Sequence, residues 1–127
     1  MLILYFCLKL LLSLSWVEAQ SIEKEFATAK NYFEADAFEQ AALEYEKLLP
    51  DVSEGFDKGV IQYNLSTTHL ASKDYPKAIE GYEALLEKES QYPQYLILKA
   101  HYNLIYARLS EVRAGFEDME AQLENEE

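Results

Sequence analysis

The side chains that most often carry catalysis or bind metal ions are few in this sequence and lie far apart. His69 and His101 are the only histidines, and neither belongs to a His-Glu-x-x-His or comparable metal-binding pattern. Cys7 is the single cysteine, so the sequence offers no disulfide and no thiolate metal site. It also has no glycine-rich phosphate loop and no nucleophile elbow. We therefore expect packed or rim histidines, no enzymatic activity, no metal site and no cofactor.

The charge balance excludes nucleic acid as a partner. The chain has 23 Asp and Glu residues against 11 Lys and Arg residues, a formal net charge of -12, which repels a phosphate backbone. The same balance suits a soluble, self-repelling protein or a protein partner with basic patches. With four glycines and three prolines among 127 residues, the composition favours one small all-α domain over a turn-rich β architecture.

The N-terminal segment differs from the rest of the chain. An apolar run extends from Leu2 to Val17, interrupted by one lysine and by serines. Its length is typical of a signal-peptide core and is short for a membrane span of about 20 residues. The Val-Glu-Ala triplet before Gln20 has the form of a cleavage site. We predict a signal peptide at residues 1–19 and export to the periplasm or the outer face of the membrane, with an uncleaved N-terminal anchor as the alternative.

The remainder of the chain contains one helical pattern twice. DAFEQAALEYEKLLP (36–50) and KDYPKAIEGYEALLE (73–87) match at five positions, all offset by 37 residues. The matched positions are spaced for one face of an α-helix. Another helical stretch precedes each segment, so each unit is predicted to be a helix, a turn and a helix. The matched pairs are Phe38 and Tyr75, Ala41 and Ala78, Tyr45 and Tyr82, Leu48 and Leu85, and Leu49 and Leu86.

The stretch YNLSTTHLASKDYPKAIEGYEALL (63–86) resembles the tetratricopeptide repeat (TPR) family. The matching positions are the Asn-Leu pair, Ser66 where Gly is usual, Tyr75, Ala78, Tyr82 and Leu85. YNL recurs at residues 102–104, within the first helix of a predicted third unit that opens in QYLILKAHYNLIYARL (94–109). The resemblance implies stacked antiparallel helix-turn-helix repeats in a right-handed solenoid, with about two and a half repeats over residues 20–110.

The prolines fit this arrangement. A turn at about residues 72–75 places Pro76 in the first turn of the second helix, where its missing N–H has no intrahelical acceptor. By the same reasoning Pro50 ends the first unit and Pro93 opens the fifth helix.

Beyond Leu109 the apolar residues continue at spacings of three and four, which predicts an amphipathic helix with an acidic outer face. These residues are Val112, Phe116, Met119 and Leu123. Because repeat stacks need a terminal element over their last apolar surface, we interpret residues 111–127 as an acidic capping helix and tail. The alternative is a docking helix for a partner.

The family register also implies a binding groove, because the first helix of each repeat lines the concave side of the stack. Phe26, Tyr63 and Tyr102 occupy equivalent places in successive units, and aromatic residues at helical spacing are either groove or core. The side-chain amides of Asn64 and Asn103 would bond a ligand backbone. The TPR family's binding site for C-terminal carboxylates, which is built from several Lys, Arg and Asn side chains in the groove, is incomplete in this sequence. The predicted groove residues are Phe26, Lys30, Tyr63, Asn64, Thr67, Lys99, Tyr102, Asn103 and Tyr106.

These features favour an exported, non-enzymatic interaction module or scaffold that binds a peptide segment or helix of a protein partner. Two alternatives are a self-associating structural subunit, such as a homodimer, and a secretion chaperone. The YNL of successive units also resembles the TPR proteins of aerotolerance (Bat-type) operons. That resemblance implies a membrane-associated envelope complex with von Willebrand A-domain proteins and a MoxR-type ATPase.

Overall fold

The computed structural model describes residues 2–52 and 55–125. Residue 1 of the predicted signal peptide, most side chains of that segment, and residues 126–127 of the predicted tail lie outside the described part. The described residues form α-helices and one short 3-10 helix, Glu89–Gln91, and they include no strand. The predicted all-α class is therefore confirmed for this part of the chain. The helices are α1 (Leu2–Glu34), α2 (Phe38–Leu48), α3 (Phe56–Ala71), α4 (Tyr75–Leu86) and α5 (Gln94–Glu124).

Each helix packs against the next one along the chain, and α3 also contacts α5. The turns at residues 35–37 and 72–74 are so short that each can only join antiparallel neighbours. The pairs α1–α2 and α3–α4 are thus the two helix-turn-helix units that the repeat predicts.

The two turns have the same backbone geometry. Asp36 and Lys73, which are offset by 37 residues, are the non-glycine residues with positive φ among the described residues, at 57° and 64°. Each ends its helix in the left-handed conformation, which is uncommon for a residue with a Cβ. The residue that follows donates its N–H to the carbonyl five positions earlier. These bonds join Ala37 N to Tyr32 O at 2.9 Å and Asp74 N to His69 O at 2.8 Å.

The start of α4 explains the proline that follows it. Asp74 is the N-cap residue and accepts a hydrogen bond from the backbone N–H of Lys77 at 3.4 Å. Pro76 lies in the first turn of α4, where no intrahelical carbonyl is available to an N–H, so its predicted position is confirmed. Pro93 is the N-cap residue of α5, immediately before that helix begins.

The internal repeat extends to the core. Ala41 and Ala78, Tyr45 and Tyr82, and Leu48 and Leu85 are buried pairs, and the two remaining matched pairs are half-buried in both units. One core cluster lies among α1, α2 and α3, and the second joins α4 to α5. In the second cluster, α5 contributes Ala100, Leu104 and Ala107.

Two helices run through the boundaries that the sequence suggests. α1 is continuous from Leu2 to Glu34, across the predicted cleavage site, and α5 is continuous across residue 110. Val112, Phe116, Met119 and Leu123 are exposed, so the cover over α4 comes from the first half of α5 and not from the segment interpreted as a cap. Among the described residues, no helix is both long enough and apolar enough to cross a membrane.

A glycine sets the distance between α3 and α4. A Cβ built at Gly81 collides with the side-chain oxygen of Ser66, and Ser66 is itself fully buried and donates to the Gln62 carbonyl at 2.8 Å. The helices approach so closely here that only glycine fits opposite the serine. Gly115 on α5, in contrast, has open space around the Cβ position.

We expect Gly81→Ala to lower the free energy of unfolding by about 1–3 kcal/mol, because the added methyl overpacks the α3–α4 contact. The control Gly115→Ala should raise it by about 0.5–1 kcal/mol, since alanine favours an exposed helix. Chemical denaturation measures both changes. The double variant Ser66→Ala/Gly81→Ala should be more stable than Gly81→Ala alone, and a double variant of equal or lower stability would contradict the collision.

Candidate functional site

Polar side chains of α3 form hydrogen bonds to backbone carbonyls of the same helix. This allows α3, which carries many polar side chains, to pack against α2, α4 and α5. Asn64 Nδ2 donates to the Val60 carbonyl at 3.0 Å, and Thr68 Oγ1 donates to the Asn64 carbonyl at 2.8 Å. Thr68, like Ser66, is fully buried. Satisfying these groups within the helix avoids the cost of burying an unpaired polar atom.

One hydrogen-bond network joins three helices. Asn103 of α5 donates from Nδ2 to the hydroxyl of Tyr63 on α3 at 2.9 Å and to the hydroxyl of Tyr82 on α4 at 3.1 Å. The Tyr82 hydroxyl also lies 2.8 Å from Thr67 Oγ1, and Thr67 Oγ1 donates to the Tyr63 carbonyl at 2.8 Å. With that donor assigned, Tyr82 must donate to Thr67, so the hydroxyls of Thr67 and Tyr82 each donate one hydrogen bond and accept one.

Tyr82 is the buried centre of this network. It is 0% exposed, and its ring centroid lies 5.9 Å from that of Tyr63. Burial raises the pKa of the Tyr82 hydroxyl, while the hydrogen bonds with Thr67 and Asn103 act in the opposite direction. The phenol is therefore held in its neutral form, in which it can act as both donor and acceptor.

A cleft opens between alternate helices. It has a volume of about 750 Å³ and is lined by residues of α1, α3 and α5 together with Asp51 and Val52. Four predicted groove residues line it: Phe26, Tyr63, Asn64 and Lys99. The other residues that line it are Ile22, Glu23, Asp57, Val60, Ile61, Tyr95 and Leu96. We call this the main cleft.

The charged groups of the main cleft are mostly acidic. Glu23, Asp51 and Asp57 contribute three carboxylates against the single cation of Lys99. The Lys99 ammonium lies 6.0 Å from the ring centroid of Tyr95, close to the limit of a cation–π contact. The lining thus combines apolar walls with net negative charge, which suits a ligand that presents an apolar side chain beside a basic one.

Four other predicted residues line a separate, smaller cleft of about 460 Å³ between α3, the following turn and α5. They are Thr67, Tyr102, Asn103 and Tyr106. Thr67 and Asn103 reach it from the hydrogen-bond network, whereas Tyr102 and Tyr106 are exposed. The single predicted groove is therefore divided between two clefts.

The structure also separates residues that the sequence treats as equivalent. Tyr102 is 72% exposed, whereas Phe26 is half-buried with its ring 5.7 Å from that of Tyr45 in the core. Lys30 lines neither cleft and forms an ion pair with Glu34 at 3.6 Å. These differences show that position in the repeat does not by itself determine which aromatic or basic side chain is accessible.

The amides have a different role from the expected one. The Nδ2 groups of both Asn64 and Asn103 donate to groups of the protein itself. Asn103 stabilises the contact of α5 with α3 and α4, whereas Asn64 stabilises its own helix. The repeat register did not predict the acidic Asp57 and the apolar Val60 of the main cleft, although both lie just before YNL, at positions that a helical period from Asn64 places on the same side of α3.

The histidines lie in different environments. His69 is half-buried, and desolvation lowers its pKa although Asp74 acts in the opposite direction. His101 is exposed on α5. In residues 2–52 and 55–125, no three His, Cys, Asp or Glu side chains are grouped closely enough to hold a metal ion.

Comparison with protein-family models, with curated proteins and with solved structures finds no match. The candidate site therefore depends on the geometry described above and on the internal repeat.

We expect Asn103→Leu to reduce the free energy of unfolding by about 1–3 kcal/mol, because it removes the donor shared by two tyrosine hydroxyls. The control variant Leu43→Ala should change it by no more than about 0.5 kcal/mol, since this side chain is exposed on α2 and lies outside the network. Urea denaturation monitored by circular dichroism measures both. Equal losses in the two variants would contradict the assigned network.

The raised pKa of Tyr82 predicts how stability changes at alkaline pH. As pH rises, the phenol of Tyr82 loses its proton more readily in the unfolded chain than in the folded one. The contribution of neutral Tyr82 to the free energy of unfolding is therefore fully present below the ordinary tyrosine pKa of about 10. It is lost as pH rises toward the pKa of Tyr82 in the folded state. The unfolding free energy of Tyr82→Phe should fall less steeply across this range than that of the wild type. If the unfolding free energy of Tyr82→Phe fell as steeply as that of the wild type, Tyr82 would not be a source of the alkaline loss of stability.

Proposed function

We propose that this protein is a non-enzymatic interaction module of the TPR type, in which the helix-turn-helix units stack as a right-handed solenoid. The matching turns at Asp36 and Lys73 and the equal burial of the paired core residues support a true structural repeat. We further propose that the protein is exported, with residues 1–19 as its signal peptide or anchor, and that it acts within an envelope complex.

The single observation that carries the proposal is the main cleft. Phe26, Tyr63 and Lys99 come from three different helices that are not consecutive, and all three line one concave surface. In a stack of helical hairpins, the first helices of successive units form the concave side that receives a peptide or helix. The cleft volume of about 750 Å³ lies within the range of ligand pockets and suits a few side chains of a bound segment.

The lining indicates the class of ligand. Ile22, Val60 and Leu96 provide apolar walls, and Glu23 and Asp57 provide exposed carboxylates. An apolar side chain would fill the cleft while a neighbouring Lys or Arg pairs with the carboxylates. A free C-terminal carboxylate fits poorly, because Lys30 lies outside the cleft and the side-chain amide donors of Asn64 and Asn103 bond to the protein itself.

The test is selection of displayed random peptides against the full chain, followed by fluorescence anisotropy with labelled peptides. We expect enrichment of peptides that combine apolar residues with Lys or Arg. Glu23→Lys/Asp57→Lys should weaken their binding by about tenfold or more, corresponding to about 1.4 kcal/mol.

The matched control is Glu39→Lys/Glu111→Lys, which makes the same charge change at exposed positions that do not line the main cleft. This control should retain binding, which separates the local carboxylates from the effect of net charge. Failure to select any peptide, or equal weakening in both double variants, would refute the main cleft as the binding site.

A further inference from the structure

A second apolar surface runs along α5, facing away from the core. Its members alternate at spacings of four and three over 26 residues, and each is between 53% and 72% exposed. We call these residues the outer stripe. They are Leu98, Tyr102, Ile105, Leu109, Val112, Phe116, Met119 and Leu123.

The outer stripe lies opposite the buried face of α5. Leu96, Ala100, Leu104 and Ala107 are each 9% exposed or less, and the last three pack in the α4–α5 core cluster. At 3.6 residues per turn, the mean directions of the two faces differ by about 155°. In the described chain, packing therefore covers one apolar face of α5 and leaves the other exposed.

The spacing of the outer stripe indicates what covers it. A strict repeat of four and three has a mean period of 3.5 residues, which is the a/d pattern of a coiled coil, and this one extends over more than three heptads. A helix that packs once against a globular core, such as the buried face of α5, has no need of so regular a period. The occupant is therefore expected to be a helix of similar length, about 39 Å at 1.5 Å per residue.

The charge distribution along α5 identifies that helix. Residues 94–113 contain Lys99, Arg108 and Arg113 against Glu111, a net charge of 3 - 1 = +2. Residues 114–124, the rest of α5, contain four Asp or Glu and no Lys or Arg, a net charge of -4. The helix is thus basic in its first part and acidic in its last, so an antiparallel copy would place opposite charges beside each other.

We propose that a second copy of this chain docks antiparallel on the outer stripe, so that the two α5 helices form a two-stranded coiled coil. Full overlap places Leu109 against Val112 of the second copy at the centre and Leu98 against Leu123 of the second copy at the ends. In this register Lys99 flanks the seam opposite Glu120 of the second copy. Tyr106 lies opposite Arg113 of the second copy, a pairing that suits a cation–π contact.

The parallel arrangement is less favourable. In a parallel pair, flanking residues five positions apart meet across the seam, so Lys99 would lie opposite Gln94 and would lose the acidic partner that the antiparallel register gives it. The acidic ends of the two helices would also lie side by side, and like charges in such positions are destabilising. Charge thus selects the antiparallel pair.

The first test is the oligomeric state of the full chain by analytical ultracentrifugation. We expect a dimer for the wild type and a monomer for Leu109→Glu/Val112→Glu, which places carboxylates at the centre of the seam. Ala121→Glu, an exposed position on the opposite side of α5, is the matched control and should remain dimeric. Because all three positions are exposed, circular dichroism should report unchanged helicity in every variant.

The second test determines orientation by disulfide formation, with Cys7→Ser in all variants. A mixture of Leu98→Cys and Leu123→Cys chains should form a mixed disulfide, whereas Leu98→Cys alone should not link to itself. A wild-type monomer at submillimolar concentration would overturn the proposal. A dimer that survives Leu109→Glu/Val112→Glu would also overturn it, because the contact would then lie elsewhere, for example on α1. Self-linking of Leu98→Cys would overturn it as well, because those residues lie at opposite ends of an antiparallel pair.

Discussion

The position of α5 depends on one side-chain amide. Asn103 Nδ2 donates to a hydroxyl on α3 and to a hydroxyl on α4, so it fixes α5 to both helices at one point. Ala100, Leu104 and Ala107 then cover the apolar face of α4, and Leu96 and Lys99 reach the main cleft. Apolar packing alone tolerates sliding and rotation between helices. The Asn103 amide and the hydroxyls of Tyr63 and Tyr82 must instead all form their hydrogen bonds together, which only a few arrangements of the three helices allow. Both the cleft and the direction of the outer stripe follow from this constraint.

The helical units could be predicted because their determinants are local. The offset of 37 residues identifies Tyr45 and Tyr82 as equivalent, and both are buried in the structure. Pro76 locates the start of α4 for a steric reason that no tertiary contact changes. The left-handed turns at Asp36 and Lys73 carry no glycine, so their backbone conformation was invisible in the sequence, yet their alignment at the same offset shows that the repeat specifies it.

The candidate site was less predictable because accessibility depends on how helices cross. Phe26 and Tyr102 share a repeat position, but α2 covers Phe26 through Tyr45, whereas no described helix covers Tyr102. Likewise, the sequence does not show that the amide of Asn103 meets Tyr63 and Tyr82, which are 40 and 21 residues away. The uninterrupted length of α5 was missed for another reason. The change to acidic composition after residue 110 resembles a boundary, but neither Gly115 nor any proline ends the helix there.

The two proposed surfaces share Lys99 and otherwise use different side chains of α5, which has a consequence for binding. Leu96 and Lys99 line the main cleft near the beginning of the helix, whereas the outer stripe lies on the side of α5 opposite its contacts with α4 and meets the smaller cleft beside α3 at Tyr102. A ligand in the cleft and a second copy on the stripe therefore meet at Lys99 and otherwise contact different side chains of α5. An antiparallel pair would carry its two clefts at opposite ends of the coiled coil, separated along its axis by about 39 Å at 1.5 Å per residue. Such a pair would hold two partner segments at a fixed spacing, and binding a partner with two such segments would gain from the effective concentration of the second cleft.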